Sequence, residues 1–176
     1  VDAEWEMEID LRKAFREGRP LQPLRERLVE ARAAKRDANL EAVSRSLLEV
    51  AQHARSQAIH IGLENRYYYL EIPSYGEMGK LLELDLEVLH YWHDTGHAQA
   101  LENLGFTSHE EWLHSYGERM LGVHFHDIVG IRDHGIPGRG ELDFRALASY
   151  LPPQVIRVCE FNHIYSPEEV VAGRKH

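Results

Sequence analysis

The sequence predicts an α/β fold in which short parallel strands alternate with helices. Residues 1–57 have helical apolar spacing, the pattern changes at Ala58 to short apolar runs, and helix-compatible stretches separate those runs. Strand, helix and strand at this spacing are typical of βαβ units, whose strands pair in parallel. With 176 residues, 43% of them apolar, the chain is long enough to bury one hydrophobic core.

Residues 1–57 are predicted to form helices of an outer layer. Apolar residues between positions 5 and 15 fall near helical spacing, and Gly18-Arg19-Pro20 ends this segment. A second helical run extends from Leu21 to about Arg55, with a break expected near Asp37-Ala38-Asn39. Helix packing accounts for these positions, so this lead-in region carries no predicted chemistry.

Residues 58–176 are predicted to hold the strands and the functional site. The helix-compatible stretches are Tyr75–Leu86, Ala98–Tyr116 and Leu142–Tyr150, and Thr107-Ser-His-Glu110 resembles a capping box. Four apolar runs rich in β-formers or aromatics each close on a polar cluster: Ala58–Asn65, Val88–Asp94, Met120–Asp127 and Val155–Asn162.

The ends of the four predicted strands carry metal-ligand side chains at regular spacing. Glu64, Asp94, His124 and Glu160 are separated by 30, 30 and 36 residues, which is one βα unit each. In a barrel of parallel strands the carboxyl ends gather at one mouth, so these side chains would converge. Three carboxylates and one imidazole suit Mn²⁺ or Mg²⁺, with Zn²⁺ and Fe²⁺ as alternatives.

Each of these residues also has a purely structural interpretation. Glu64 could form a salt bridge with Arg66 or Arg157, and Asp94 could cap a helix that contains His97. His124 and His126 alternate along one strand face, where they could be core histidines instead of a ligand and a substrate contact.

The charge distribution favours a metal centre and disfavours nucleic acid. Residues 1–57 carry 11 Lys/Arg and 11 Asp/Glu, so the net charge of −9 belongs to residues 58–176, which also hold nearly all of the 12 histidines. An acidic surface repels a phosphate backbone.

The single cysteine, Cys159, is predicted to be a buried structural thiol in a cytoplasmic protein. No run of residues predicts a membrane span.

Four phrases in this segment resemble the xylose isomerase-like TIM-barrel superfamily, which includes sugar isomerases, epimerases and the zinc-dependent endonuclease IV. The resemblance runs from about residue 40 to the C-terminus. It implies a (β/α)8-type barrel of which only four C-terminal βα units are visible, so the chain would be a fragment or a half-barrel that pairs with a second copy. The phrases are Leu63-Glu64-Asn65, Asp94-Thr-Gly-His97-Ala98, His124-Phe-His-Asp127 and Pro137-Gly-Arg-Gly-Glu-Leu-Asp143-Phe144.

The resemblance also implies residue roles. Glu64 and Glu160 would exchange protons with the substrate carbons, and both would ligate the metal together with Asp94 and His124. The side chains implied to touch a sugar or its phosphate are His97, His126, His134 and Arg139.

The expected function is a metal-dependent isomerase or epimerase acting on a sugar or sugar phosphate. The alternatives are an abasic-site endonuclease, a metallohydrolase built on His124 and His126, and a non-catalytic barrel remnant. The endonuclease alternative is weakened because Asp133 and His134 are adjacent, and adjacent side chains rarely face one ion. The expected partners are a small sugar and either a second copy or a missing N-terminal half-barrel.

Overall fold

The computed structural model describes residues 3–173, and every predicted strand is present. The helices are α1 (Ala3–Arg16), α2 (Gln22–Ser56), α3 (Tyr75–Leu82), α4 (Thr95–Asn103), α5 (His109–Tyr116), α6 (Phe144–Ala148) and α7 (Pro167–Gly173), with a 3₁₀ turn at Gly117–Arg119. The strands are β1 (Ile61–Glu64), β2 (Leu89–Asp94), β3 (Met120–Phe125), β4 (Asp127–Val129), β5 (Arg132–Gly135) and β6 (Ile156–Cys159).

Four of the strands form a parallel sheet in the order β1-β2-β3-β6, as the βαβ pattern predicts. The other two, β4 and β5, form an antiparallel hairpin directly after β3, which the sequence pattern did not indicate. Within residues 3–173 the parallel sheet is open, with β1 and β6 at its edges. The fold is therefore mixed α/β with a four-stranded parallel sheet, and the described residues do not confirm the predicted partial barrel.

Two helix predictions are wrong in detail. The expected break near Asp37–Asn39 is absent and α2 continues through it, because these exposed residues cost a helix little and include neither Gly nor Pro. The stretch Ala98–Tyr116 contains two helices, α4 and α5, in agreement with the helix start predicted inside it. The capping box that starts α5 is Ser108 with Glu111, one position later than expected, because Ser108 has the extended backbone of an N-cap.

One face of the parallel sheet packs against the helices that follow its strands. Leu89, Tyr91 and Val123 point to this face and lie in a core with Met78 of α3 and Trp112 of α5. All five side chains are buried. This packing fixes the positions of the strands and therefore of the side chains at their carboxyl ends.

The opposite face carries Trp92, which lies across two glycines of neighbouring strands. A Cβ atom placed on Gly62 or Gly122 would come within 2.9 Å or 2.2 Å of the indole ring. The strand β6 continues this face at the sheet edge, and both its apolar and polar side chains are exposed. Cys159 is exposed there as a free thiol, so the prediction of a buried thiol is wrong: an edge strand without a covering helix cannot bury it.

The lead-in helices pack beside the sheet and hold the loop after β1. Leu11 of α1 and Leu28 of α2 form a second buried cluster with Leu104 and Ile131. Arg12 lies over the rings of Tyr67 and of its neighbour in that loop, with its guanidinium 4.0 Å and 4.4 Å from the ring centroids. No helix within residues 3–173 combines the length and apolar character needed to cross a bilayer.

Candidate metal centre

The parallel sheet brings all four predicted ligands to its carboxyl edge. Glu64 ends β1, Asp94 ends β2, and His124 lies beside Asp94 in the register of β3. Glu160 follows β6, where its N–H donates to the Phe125 carbonyl at 3.1 Å. These side chains therefore come from four adjacent strands, in the same order along the edge as along the chain.

His124 is the centre of this cluster. Its Nδ1 lies 3.1 Å from Oε1 of Glu64, 3.1 Å from Oε2 of Glu160 and 3.6 Å from Oδ2 of Asp94. The nearby Asp94 carboxylate raises the pKa of His124 to about 9, and the charges of Glu64 and Glu160 add to this effect against partial burial. A proton on His124 thus balances part of the carboxylate charge.

The donor set fits a divalent cation. Ligand atoms of Asp94, His124 and Glu160 all lie within 4.8 Å of one another, as do those of Glu64, Asp94 and His97. Bond lengths of about 2.0 to 2.6 Å around one ion require ligand atoms at about this spacing, after small side-chain adjustments. A bound cation would take the place of the proton on His124, since a ligating imidazole must be neutral.

Asp94 is the most tightly held member of the cluster. Its fully buried carboxylate accepts hydrogen bonds from the N–H of His97 at 2.8 Å and from Nε2 of His126 at 2.9 Å. Burial alone would raise the pKa of Asp94, but the nearby His124 ring and the hydrogen bond with His126 outweigh it and hold that pKa far below its ordinary value. The interpretation of Asp94 as a helix cap is confirmed, since it is the N-cap of α4. The same carboxylate also lies next to His124 in the cluster.

His126 orients Asp94 from beneath the site. Its Nδ1 accepts a hydrogen bond from the N–H of His134 at 2.8 Å, which places the ring proton on Nε2, facing Asp94. The imidazole is fully buried and both its nitrogens are engaged within the chain. This geometry makes His126 a positioning residue for Asp94. It leaves neither ring nitrogen of His126 available for the expected direct contact with a substrate.

A second group of side chains lies next to the first. Nε2 of His97 is 3.8 Å from Oδ2 of Asp133, and Nδ1 of His134 is 3.0 Å from Oδ1 of Asp133. The two side chains are close although their residues are adjacent, and His134 has a left-handed backbone with φ of 57°. That adjacent residues rarely face one ion stays a prediction. His134 also connects the two groups, since its Nε2 lies 3.4 Å from Oε1 of Glu160.

Arg139 lies apart from the cluster. Its guanidinium pairs with Glu169 of α7 at 2.7 Å. It lines a surface cleft that Asp133 also borders. The expected contact of Arg139 with a substrate stays a prediction that would require this ion pair to open.

Two residues that hold the site were missed by the sequence analysis. The Asn65 side chain makes two hydrogen bonds to the backbone of Asp94. Its Oδ1 accepts from the Asp94 N–H at 2.7 Å, and its Nδ2 donates to the Asp94 carbonyl at 2.9 Å. Asp127 fixes the loop after β5 by accepting backbone N–H groups, including those of Gly138 at 2.9 Å and Gly140 at 2.8 Å. The glycine-rich phrase after Pro137 signalled a loop, but nothing in the sequence marked its acceptor.

Some of the histidines are structural. Nε2 of His93 lies 2.8 Å from Nε2 of His109, and Nδ1 of His93 lies 2.7 Å from the Tyr91 hydroxyl, all in the core. Burial lowers the pKa of His93 well below its usual value and that of His109 to about 4. These two neutral rings satisfy one another and are not available to a metal ion.

Comparison of the chain with protein-family models, with curated proteins and with solved structures yields no match.

Proposed function

We propose that this protein is a metal-dependent isomerase or epimerase that moves a proton between carbon atoms of a sugar or sugar phosphate. The observation that carries the proposal is the position of His124, whose Nδ1 lies 3.1 Å from both Glu64 and Glu160. Together with Asp94 these residues would hold one divalent cation. Three carboxylates favour Mn²⁺ or Mg²⁺, and the imidazole keeps Zn²⁺ and Fe²⁺ as alternatives.

The proposed chemistry divides between the cation and the two glutamates. When bound, the cation polarises a substrate carbonyl or hydroxyl oxygen and stabilises the negative charge that develops on it. Glu64 ends the first strand of the sheet order and Glu160 follows the last. A substrate seated over His124 would thus have one carboxylate on each side, so one glutamate can remove a proton and the other return it.

His97 is suited to hold a substrate oxygen beside this pair. Its Nδ1 donates to the Asn65 carbonyl at 3.0 Å, so in a neutral ring the lone pair lies on Nε2, which is 3.8 Å from Oδ2 of Asp133. A substrate hydroxyl could donate to that lone pair. Transfer of the proton between opposite faces of one carbon gives epimerisation, and transfer along one face between neighbouring carbons gives isomerisation.

We further propose that the open sheet is one half of a xylose isomerase-like barrel. Parallel sheets are normally covered on both faces and along both edges, whereas Ile156 on the edge strand β6 is 50% exposed. A missing N-terminal half or a second copy of the chain would cover it. The single free thiol fits a reducing compartment such as the cytoplasm.

A second candidate is a phosphoester hydrolase of the abasic-endonuclease type. The neighbouring group formed by His97, Asp133 and His134 favours it, since hydrolases of phosphoesters often use two or more adjacent cations. The net charge of −9 opposes it, because a DNA-binding groove needs basic residues.

Metal content measured by plasma mass spectrometry on protein purified without chelators tests the proposal. About one Mn, Mg, Zn or Fe per chain is expected, lost in Glu64→Ala and kept in the control Glu41→Ala on the exposed side of α2. Close to three zinc ions would favour the endonuclease candidate. Absence of metal after addition of Mn²⁺ would overturn the proposal.

A further inference from the structure

A cleft of about 430 Å³ opens beside the metal centre and is built from three separate parts of the chain. The C-terminal turn of α1 supplies Phe15 and Arg16, the loop after β1 supplies Tyr67, and the turn between β4 and β5 supplies residues 129–133. The Phe15 ring packs closely on Gly130, and the Tyr67 hydroxyl donates to the Ile131 carbonyl. These contacts fix the walls relative to one another.

The cleft carries two guanidinium groups that this part of the chain does not neutralise. Arg16 and Arg132 are exposed, and among residues 3–173 neither forms a salt bridge or a side-chain hydrogen bond. The carboxylate that lines the cleft is Asp133, which is already hydrogen-bonded to His134 at 3.0 Å. Two cations facing one cleft of an acidic protein form a local site for an anion.

The cleft lies next to the candidate metal centre. Asp133 lines the cleft and lies 3.8 Å from His97 at the edge of that centre. The Tyr67 ring, on the other wall, has its centroid 5.6 Å from that of the His97 ring. To reach this cleft, a molecule whose reacting carbons lie at Glu64 and Glu160 would have to extend past His97.

We propose that Arg16 and Arg132 bind the terminal phosphate of a phosphorylated sugar substrate. The inference rests on the proposed function, because it assigns the substrate class of the same site. A phosphomonoester presents three terminal oxygens, enough to accept hydrogen bonds from two planar guanidinium groups at once. An unphosphorylated sugar would leave both cations without a partner.

Calorimetric titration of the chelator-treated full chain separates this subsite from the metal centre. The ligands are D-fructose 6-phosphate, D-fructose and inorganic phosphate. We expect the two phosphates to bind and fructose to give no signal. Arg16→Gln and Arg132→Gln should each weaken binding of both phosphates by roughly 10-fold or more, since each removes charge-assisted hydrogen bonds. Arg132→Lys should be intermediate, because it keeps the charge and loses the planar fork.

Arg45→Gln on α2 is the control, since Arg45 is exposed, pairs with Glu41 and lines no part of the cleft. Its binding should equal that of the original protein, which excludes an effect of net charge alone. Phosphate binding that is absent, or unchanged in both cleft variants, overturns the subsite whatever the metal content. Phosphate binding that is lost in the cleft variants supports the subsite even where the metal measurement removes the isomerase mechanism.

Discussion

Nε2 of His126 lies 2.9 Å from Oδ1 and 3.0 Å from Oδ2 of Asp94, beneath the carboxyl edge of the sheet. The opposite nitrogen of the ring accepts the backbone N–H of His134. His126 therefore ties the end of β2 to the hairpin strand β5 and presents a proton to the Asp94 carboxylate. Partners of this kind commonly orient the ligands of metal centres.

We expect His126→Ala to weaken metal affinity by about 10- to 100-fold without removing any ligand, because Asp94 loses the donor that orients it. Competitive titration against a chromophoric chelator measures the affinity. His126→Asn, which offers a side-chain N–H, should recover part of it. His114→Ala on the exposed side of α5 is the matched control. Equal affinity in His126→Ala and the control would contradict the positioning role.

Glu160→Gln should abolish turnover and leave the fold intact. The amide keeps the shape of the side chain but cannot accept a proton, and the side chain is 44% exposed, so its replacement costs the fold little. Exchange of a substrate carbon-bound hydrogen with deuterium oxide, followed by NMR over a panel of ketoses and aldoses, measures the proton transfer. Exchange at the original rate would remove Glu160 from the catalytic role.

The sequence predicted the strand-end cluster because each ligand closes a short apolar run, and parallel strands place all such ends at one edge. The sequence did not predict the contacts that Asn65 and His126 make with Asp94. These contacts depend on which loops lie together at the carboxyl edge of the sheet. The closeness of Asp133 and His134 accompanies the left-handed backbone of His134. A sequence does not show which of its non-glycine residues adopts that conformation. Closure of the sheet would depend on strands beyond the four that these residues supply.

The stability of the metal-free protein should fall as the pH rises from about 6.5 to about 9. The pKa of His124 is raised to about 9 by the nearby Asp94 carboxylate and by the neighbouring carboxylates of Glu64 and Glu160. A histidine whose pKa is higher in the folded than in the unfolded protein stabilises the fold fully at pH values below its unfolded-state pKa, near 6.5. This stabilisation is lost as the pH rises through the folded-state pKa. Urea unfolding in the presence of a chelator, repeated across this range, measures the change.

His124→Gln isolates this effect from that of His134, whose pKa is also raised to about 9 by its hydrogen bond with Asp133. The difference in unfolding free energy between the original protein and His124→Gln should be largest just below pH 6.5 and should shrink towards pH 9. Metal affinity should change in the opposite direction and increase with pH, because the cation competes with the His124 proton. A difference independent of pH would contradict the assignment.

The packing of Trp92 gives a prediction that is independent of the metal. Gly122→Ala should destabilise the protein by about 1 to 3 kcal/mol, because the new methyl group would lie 2.2 Å from the indole ring in a sheet that cannot widen locally. Gly76→Ala on α3 is the control: its added methyl group meets nothing within 4 Å, so it should stabilise the helix by roughly 0.4 to 1 kcal/mol. Thermal and urea unfolding of both variants measure the two shifts. Equal stability of the two variants would show that the Trp92 ring does not pack on Gly122. If Trp92 does lie there, Gly122→Ala should also disturb the site, because the indole ring centroid is 5.1 Å from that of His124.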